Sequence, residues 1–135
     1  MKSSGEDAGK LVLRVVLGVL LLVHGIYKLQ NGVGWMHGLL ANHGLPSFLA
    51  YGAYVGEVLA PMLLILGLFT RFAGLIVVGH MTMAVLLMHT GDFALINKSG
   101  GWQLELQAFF FFNAIAVMLL GAGRYSLGGP YGRWN

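Results

Sequence analysis

Cysteine is absent from the 135 residues, which excludes disulfides, Cys-ligated zinc, thiol redox chemistry and Cys-held iron–sulfur clusters within this chain. Any electron transfer would run through a bound or diffusing cofactor. Charge is scarce as well: Asp, Glu, Lys and Arg make up 10% of the residues, against about 25% in an ordinary soluble domain. The net charge of +3 comes without a basic run, so nucleic acid is not an expected partner. H-E-x-x-H, P-loop and G-x-G-x-x-G patterns are missing, and with them the sequence signs of a zinc protease, a P-loop nucleotidase and a dinucleotide enzyme. No haem-ligating pair or flavin motif is evident either.

What fills the chain is apolar: 57% of residues are hydrophobic and the mean hydropathy is +0.75. These values place it in a lipid bilayer. A span needs about 20 residues, so four spans leave about 55 for tails and loops and no room for a soluble catalytic domain. The apolar stretches predict helices at about 10–29, 48–68, 72–90 and 104–120, with a Gly-rich tail, 121–135, expected on the surface. The first stretch carries Arg14 and His24 and ends in Tyr27-Lys28, which reads as a retained helix rather than a cleaved signal. Phe69-Thr70-Arg71 is too short to be anything but a hairpin connection. No ten-residue segment alternates polar and apolar residues, as a membrane β-barrel would require. The expected fold class is all-α: one integral membrane domain, residues 1–135, built as an antiparallel up-down four-helix bundle.

Cation placement sets the orientation. Lys2, Lys10, Arg14, Arg71, Arg124 and Arg133 fall on one face of a four-span chain, and Lys28 and Lys98 on the other. The positive-inside rule puts the first face, with both termini, in the cytoplasm and the two long loops outside.

Few polar residues lie at membrane depth, and each is informative. Counting along each helix from the cytoplasmic edge puts Arg14 roughly 6 Å up, His24 roughly 21 Å, and Lys28 roughly 27 Å. Glu57 lies at roughly 16 Å, His80 near 12 Å, His89 near 25 Å, Glu105 near 28 Å and Asn113 near 16 Å. Glu57, His80 and Asn113 form a midplane set; Lys28, His89 and Glu105 form an outer set, with His24 between. Arg14, His24 and Lys28 share one face of the first helix, which should point inward, whereas His80 and His89 lie about 180° apart. An ionised carboxylate alone at the bilayer centre is costly, so Glu57 is either protonated or paired, with Lys28, His24 and Arg14 as the available cations. Such a pair would pin two helices, handle protons, or do both.

Other signals favour packing. Gly52-x3-Gly56-x3-Ala60 is a small-residue stripe that lets a second helix approach closely. His37 and His43 read as interfacial loop residues. Met81, Met83 and Met88 with His80 and His89 would suit copper(I) chemically, but they form no tight cluster and no metal site is expected. Phe109, Phe110, Phe111 and Phe112 point all around their helix and chiefly meet lipid, with one ring available to stack on a quinone.

The order Arg14-x3-Gly18, His24-Gly25-x2-Lys28-Leu29, Gly56-Glu57, Gly67-Leu68-Phe69-Thr70-Arg71-x-Ala73 and Gly121-x-Gly123-Arg124-Tyr125-Ser126-Leu127 resembles the DoxX family of small bacterial membrane proteins. The family tail usually continues with Asp, where this chain has Gly128. The resemblance implies a four-helix protein of the bacterial inner (plasma) membrane. The family takes its name from a subunit of an archaeal quinone-linked complex, and other members are associated with oxidative-stress complexes.

Three functions follow as expectations. The first is a quinone-interacting subunit or accessory of a membrane redox system, with its polar site on the periplasmic half. His24, Lys28, Glu57 and Glu105 would supply hydrogen bonds and proton exchange. The second is a small oligomeric transporter or pore in which Glu57 and Lys28 change partners around a solute or proton. The third is a structural or assembly protein. The candidate ligand-binding or proton-handling residues are Glu57, Lys28, His24, Glu105, Arg14, His80, His89 and Asn113, with no catalytic residue assigned. Expected partners are the lipid bilayer, a membrane or periplasmic redox protein and a second copy of the chain.

Overall fold

A computed structural model describes residues 4–88, 91 and 93–135. Helix α1 covers Ser4–Asn31, α2 covers Trp35–Asn42, α3 covers Ser47–Leu66, α4 covers Thr70–Met88 and α5 covers Glu105–Leu120. Among the described residues the chain is all-helical, apart from an isolated bridge between Ile96 and Trp102. Three helices, α1, α3 and α4, are long and apolar enough to cross a membrane, and α5 is a shorter apolar helix. The outward residues agree with this: Val12, Val16, Val19 and Val23 stand exposed along α1, where a helix facing water would carry charge.

The long first loop contains a helix that its composition did not announce. Within α2, Met36 and Leu40 are four positions apart and so share a face. They pack with Val33, Ala50 and Ala53 into a small apolar cluster, which is what makes so short a segment worth ordering.

Pro46, extended at ψ 141°, starts α3, and Gly67, left-handed at φ 76°, ends it. Between them the helix changes pitch, from a 3-10 turn at Ser47–Tyr51 to a π turn at Val55–Leu59. Pro61 lies just beyond and has no N–H to give to the Glu57 carbonyl four residues back. The Ala60 N–H reaches instead to Val55 O, a five-residue step. The wide turn carrying Glu57 is therefore tied to a specific proline.

One apolar core joins the helices: Leu17 and Leu21 from α1, Ala60 and Leu64 from α3, Val77 and Met81 from α4, Phe110 and Val117 from α5. Ala60, Ala73 and Ala114 are fully buried and let backbones approach closely. Gly18 does the same, since an added methyl there would lie 2.9 Å from Pro61 O.

The tail exposes Leu127, Tyr131 and Trp134, but both of its ends are anchored. Gly121, Ala122, Gly123 and Asn135 are buried. The Ala122 N–H donates to Asn135 O at 2.7 Å, the Arg71 N–H to Trp134 O at 2.8 Å, and the Arg124 N–H to Asp7 Oδ1 at 3.2 Å. The segment thus folds back over the end of the bundle where α1 begins and α3 turns into α4. Lys10, Arg14, Arg71 and Arg124 gather at that end.

Candidate functional site

Lys28 occupies the last turn of α1, where a cation is favoured by the helix dipole. Its ammonium bonds Glu57 Oε2, and His80 Nε2 stands 3.4 Å from the same oxygen. Three helices therefore meet at one carboxylate. The sequence count separates Lys28 from Glu57 in height, but side chains on a helix tilt toward its N-terminus. On antiparallel α1 and α3 that tilt carries the two toward each other.

Glycine makes the approach feasible. A methyl on Gly25 would overlap the Glu57 carbonyl group, and one on Gly56 would overlap the His80 ring. Gly25 therefore lets α1 lie against the π turn, and Gly56 seats the imidazole beside the carboxylate. Of the small-residue stripe, Gly56 has this role, whereas Gly52 faces open space.

The carboxylate forms part of the wall of a cavity of about 650 Å³, a size typical of small-molecule sites. His24, Lys28, Glu57, His80 and Gln107 are its polar lining, and Leu40, Ile76, Met81 and Phe110 are among the apolar residues that make up most of the rest. His24 does not reach Glu57; its ring meets Phe110 edge-on, with centroids 5.8 Å apart. Glu57 is 5% exposed. A buried carboxylate held by an ammonium and an imidazole can bind a polar headgroup and relay a proton.

The remaining candidates lie elsewhere. Arg14 donates to Leu64 O at 2.8 Å and Ile65 O at 3.0 Å, and also to Tyr125 O, at the opposite end of α1. Although it shares a helix face with Lys28, its partners are backbone carbonyls. Glu105 is exposed and accepts from Asn97 Nδ2 at 2.9 Å, closing the turn before α5. Asn113 is half-buried and does not line the cavity. His89 lies outside the described residues, so its opposition to His80 has no counterpart here. Among the described residues no three His, Asp or Glu side chains come together as a metal-binding group. Trp35, Met36 and Gln107 are wall residues that the sequence does not mark for a ligand site, the first two because they sit on the unforeseen α2, and of the Phe109 to Phe112 block it is Phe110 whose ring reaches the cavity.

The family model for DoxX matches residues 9–90, more than half of the chain and all three of Lys28, Glu57 and His80. The chain belongs to the DoxX family. In this DoxX protein α5 and the tail fall outside the matched segment, so the tail motif adds nothing to the assignment. A protein of Bacillus subtilis (strain 168) described as "Putative oxidoreductase CatD" is 37% identical over 70 residues, covering 52% of each chain. The chain thus matches about half the length of that relative. No solved structure matches it.

Proposed function

We infer that this DoxX protein is a quinone-interacting subunit or accessory of a membrane redox system. It crosses the bacterial plasma membrane as a four-helix bundle with both termini in the cytoplasm. The observation that carries this reading is the Lys28, Glu57 and His80 cluster opening on a large, mainly apolar cavity. The donor set fits such a headgroup: an ammonium and an imidazole can donate to carbonyl oxygens, and the carboxylate can accept from hydroxyls. Phe110 offers an aromatic wall. A bound quinone supplies reversible transfer of two electrons and two protons. The chain's own part is to exclude water around the headgroup, orient it through Lys28 and His80, and hold a proton at Glu57 or His80. The oxidoreductase description of the Bacillus relative supports the redox assignment. Since the chain holds no cysteine and no haem or flavin motif, the electrons come from or go to a partner protein.

Trp35 lines the cavity and provides a signal for the test. A soluble benzoquinone titrated into the purified protein should quench tryptophan fluorescence saturably. In Glu57→Gln the affinity for the corresponding quinol, whose hydroxyl donates to the carboxylate and which displaces the quinone, should fall about tenfold, the loss of one charge-assisted hydrogen bond. Equal binding by both proteins, at equal melting temperature, would remove Glu57 from the site.

Orientation rests on the gathering of Lys10, Arg14, Arg71 and Arg124 at the tail end, opposite Lys28 and Lys98. A reporter fused after Asn135 should be active only as a cytoplasmic marker. A periplasmic signal would turn the bundle over and place the cavity on the cytoplasmic side.

A further inference from the structure

A second cavity, of about 280 Å³, adjoins the helix pair α4 and α5 and shares two wall residues with the first. Those residues are Met81 of α4 and Gln107 of α5. On α4, His80, Ala84 and Leu87 line the first cavity, while Thr82, Val85 and Leu86 line the second. Met81 and Gln107 therefore form a partition where one helix pair separates two spaces.

The second space is suited to hydrocarbon. Among the described residues its wall has no ionisable side chain. The Thr82 hydroxyl donates to Val78 O at 2.8 Å and the Trp102 indole N–H to Phe93 O at 2.7 Å, so these polar groups have partners inside the chain. Walls of this kind favour an apolar occupant. Leu86 and Phe112 line the cavity and are 53% and 65% exposed, so it reaches the outer surface of the helix pair. The partition itself is adaptable, because a methionine side chain is unbranched and repacks readily.

We propose that the second cavity holds the hydrocarbon tail of the ligand whose polar head is held at Lys28, Glu57 and His80. Met81 swings aside, and the tail passes between α4 and α5 toward the lipid. The ligand class is then a quinone bearing a long alkyl or prenyl chain rather than a tail-less one. This rests on the headgroup reading above, and the occupant follows from the two spaces meeting at one shared wall, Met81 and Gln107.

The test uses the full-length protein in lipid nanodiscs and a benzoquinone carrying a decyl chain that ends in a photoreactive diazirine. After irradiation, adducts mapped by mass spectrometry should fall on Val85, Leu86, Ala108 and Phe112, and excess unlabelled decyl-benzoquinone should suppress them. Ala108→Phe, which fills the second cavity, should cut those adducts about tenfold, while tail-less benzoquinone binds wild type and variant alike. Adducts spread evenly over the outward faces of all helices, or adduct yields unchanged in Ala108→Phe, would overturn the tail site while leaving the headgroup site standing. Failure of tail-less benzoquinone to bind the wild-type protein would overturn both. The wild-type map is independent of whether the variant folds.

Discussion

Replacing Lys28 with Met should lower the unfolding midpoint of the detergent-solubilised protein, and adding Glu57→Gln to the same chain should return part of the loss. Glu57 is 5% exposed and its carboxylate faces the Lys28 ammonium and the His80 ring. Removing the ammonium leaves a buried charge with an imidazole as its nearest donor. Breaking a buried pair from one side costs about 3–5 kcal/mol. The Lys28 side chain retains 19% exposure, so about 3 kcal/mol is the appropriate end of that range. Glu57→Gln alone should cost less, because Lys28 sits in the last turn of α1 and can extend toward the interface when its partner is gone. In the double variant neither charge is left stranded. The coupling measured across the four proteins should be on the order of 1–3 kcal/mol. Strict additivity would mean that the two side chains meet without stabilising one another.

The residues that made this pair legible in the sequence also mark what was not legible. Glu57 stood out because an acid inside an apolar span demands a partner, and the candidate cations were few. That argument reaches the residue type and approximate depth but not the contact, since depth was counted at the Cα while the meeting occurs at the side-chain tips. Lys28 and Glu57 therefore fell into different layers. The apolar stretches 48–68 and 104–120 coincide with α3, Ser47–Leu66, and α5, Glu105–Leu120, because hydropathy marks which residues can face lipid. By contrast, the α2 segment looks like loop in the sequence because its Gly and His content conceals a short face of Met36 and Leu40, whose worth depends on Ala50 and Ala53 across the chain. The π turn is tied to Pro61, but a proline inside an apolar span marks only a break in the hydrogen-bond ladder and not the wide turn that accommodates it. In the sequence Gly25 is one member of the His24-Gly25-x2-Lys28-Leu29 motif, with nothing to show what it does. Its purpose becomes clear only when the Glu57 carbonyl is seen against its Cα.

Arg14→Met should be the more damaging change, although Arg14 lies far from the cavity. Fourteen residues separate it from Lys28, about 21 Å along α1, and it is 1% exposed. One guanidinium nitrogen donates to Leu64 O and Ile65 O and another to Tyr125 O. The first two carbonyls belong to the last turn of α3, where the helix itself supplies no donor. The third belongs to the tail, so a single cation closes α3 and fastens the C-terminal segment across the same end. Gly67 leaves room for this, since a side chain there would meet Arg14 and Ser126. Charge-assisted bonds contribute about 1.5–3 kcal/mol each. Losing three that share one donor group should therefore cost on the order of 4 kcal/mol, with carbonyls left buried and unpaired. Arg14→Lys keeps the charge but not the planar fork that spans the separate acceptors, so it should recover less than half. Limited trypsin digestion provides the second readout: cleavage after Arg124 should be slow in wild type and rapid in Arg14→Met. A variant that melts like wild type and keeps its tail protected would show that apolar packing, rather than this guanidinium, holds the end of the bundle. Since the cavity lies at the other end of α1, any Arg14→Lys protein that remains folded should bind benzoquinone with unchanged affinity. That outcome separates the cation that closes the bundle from the cation at the site.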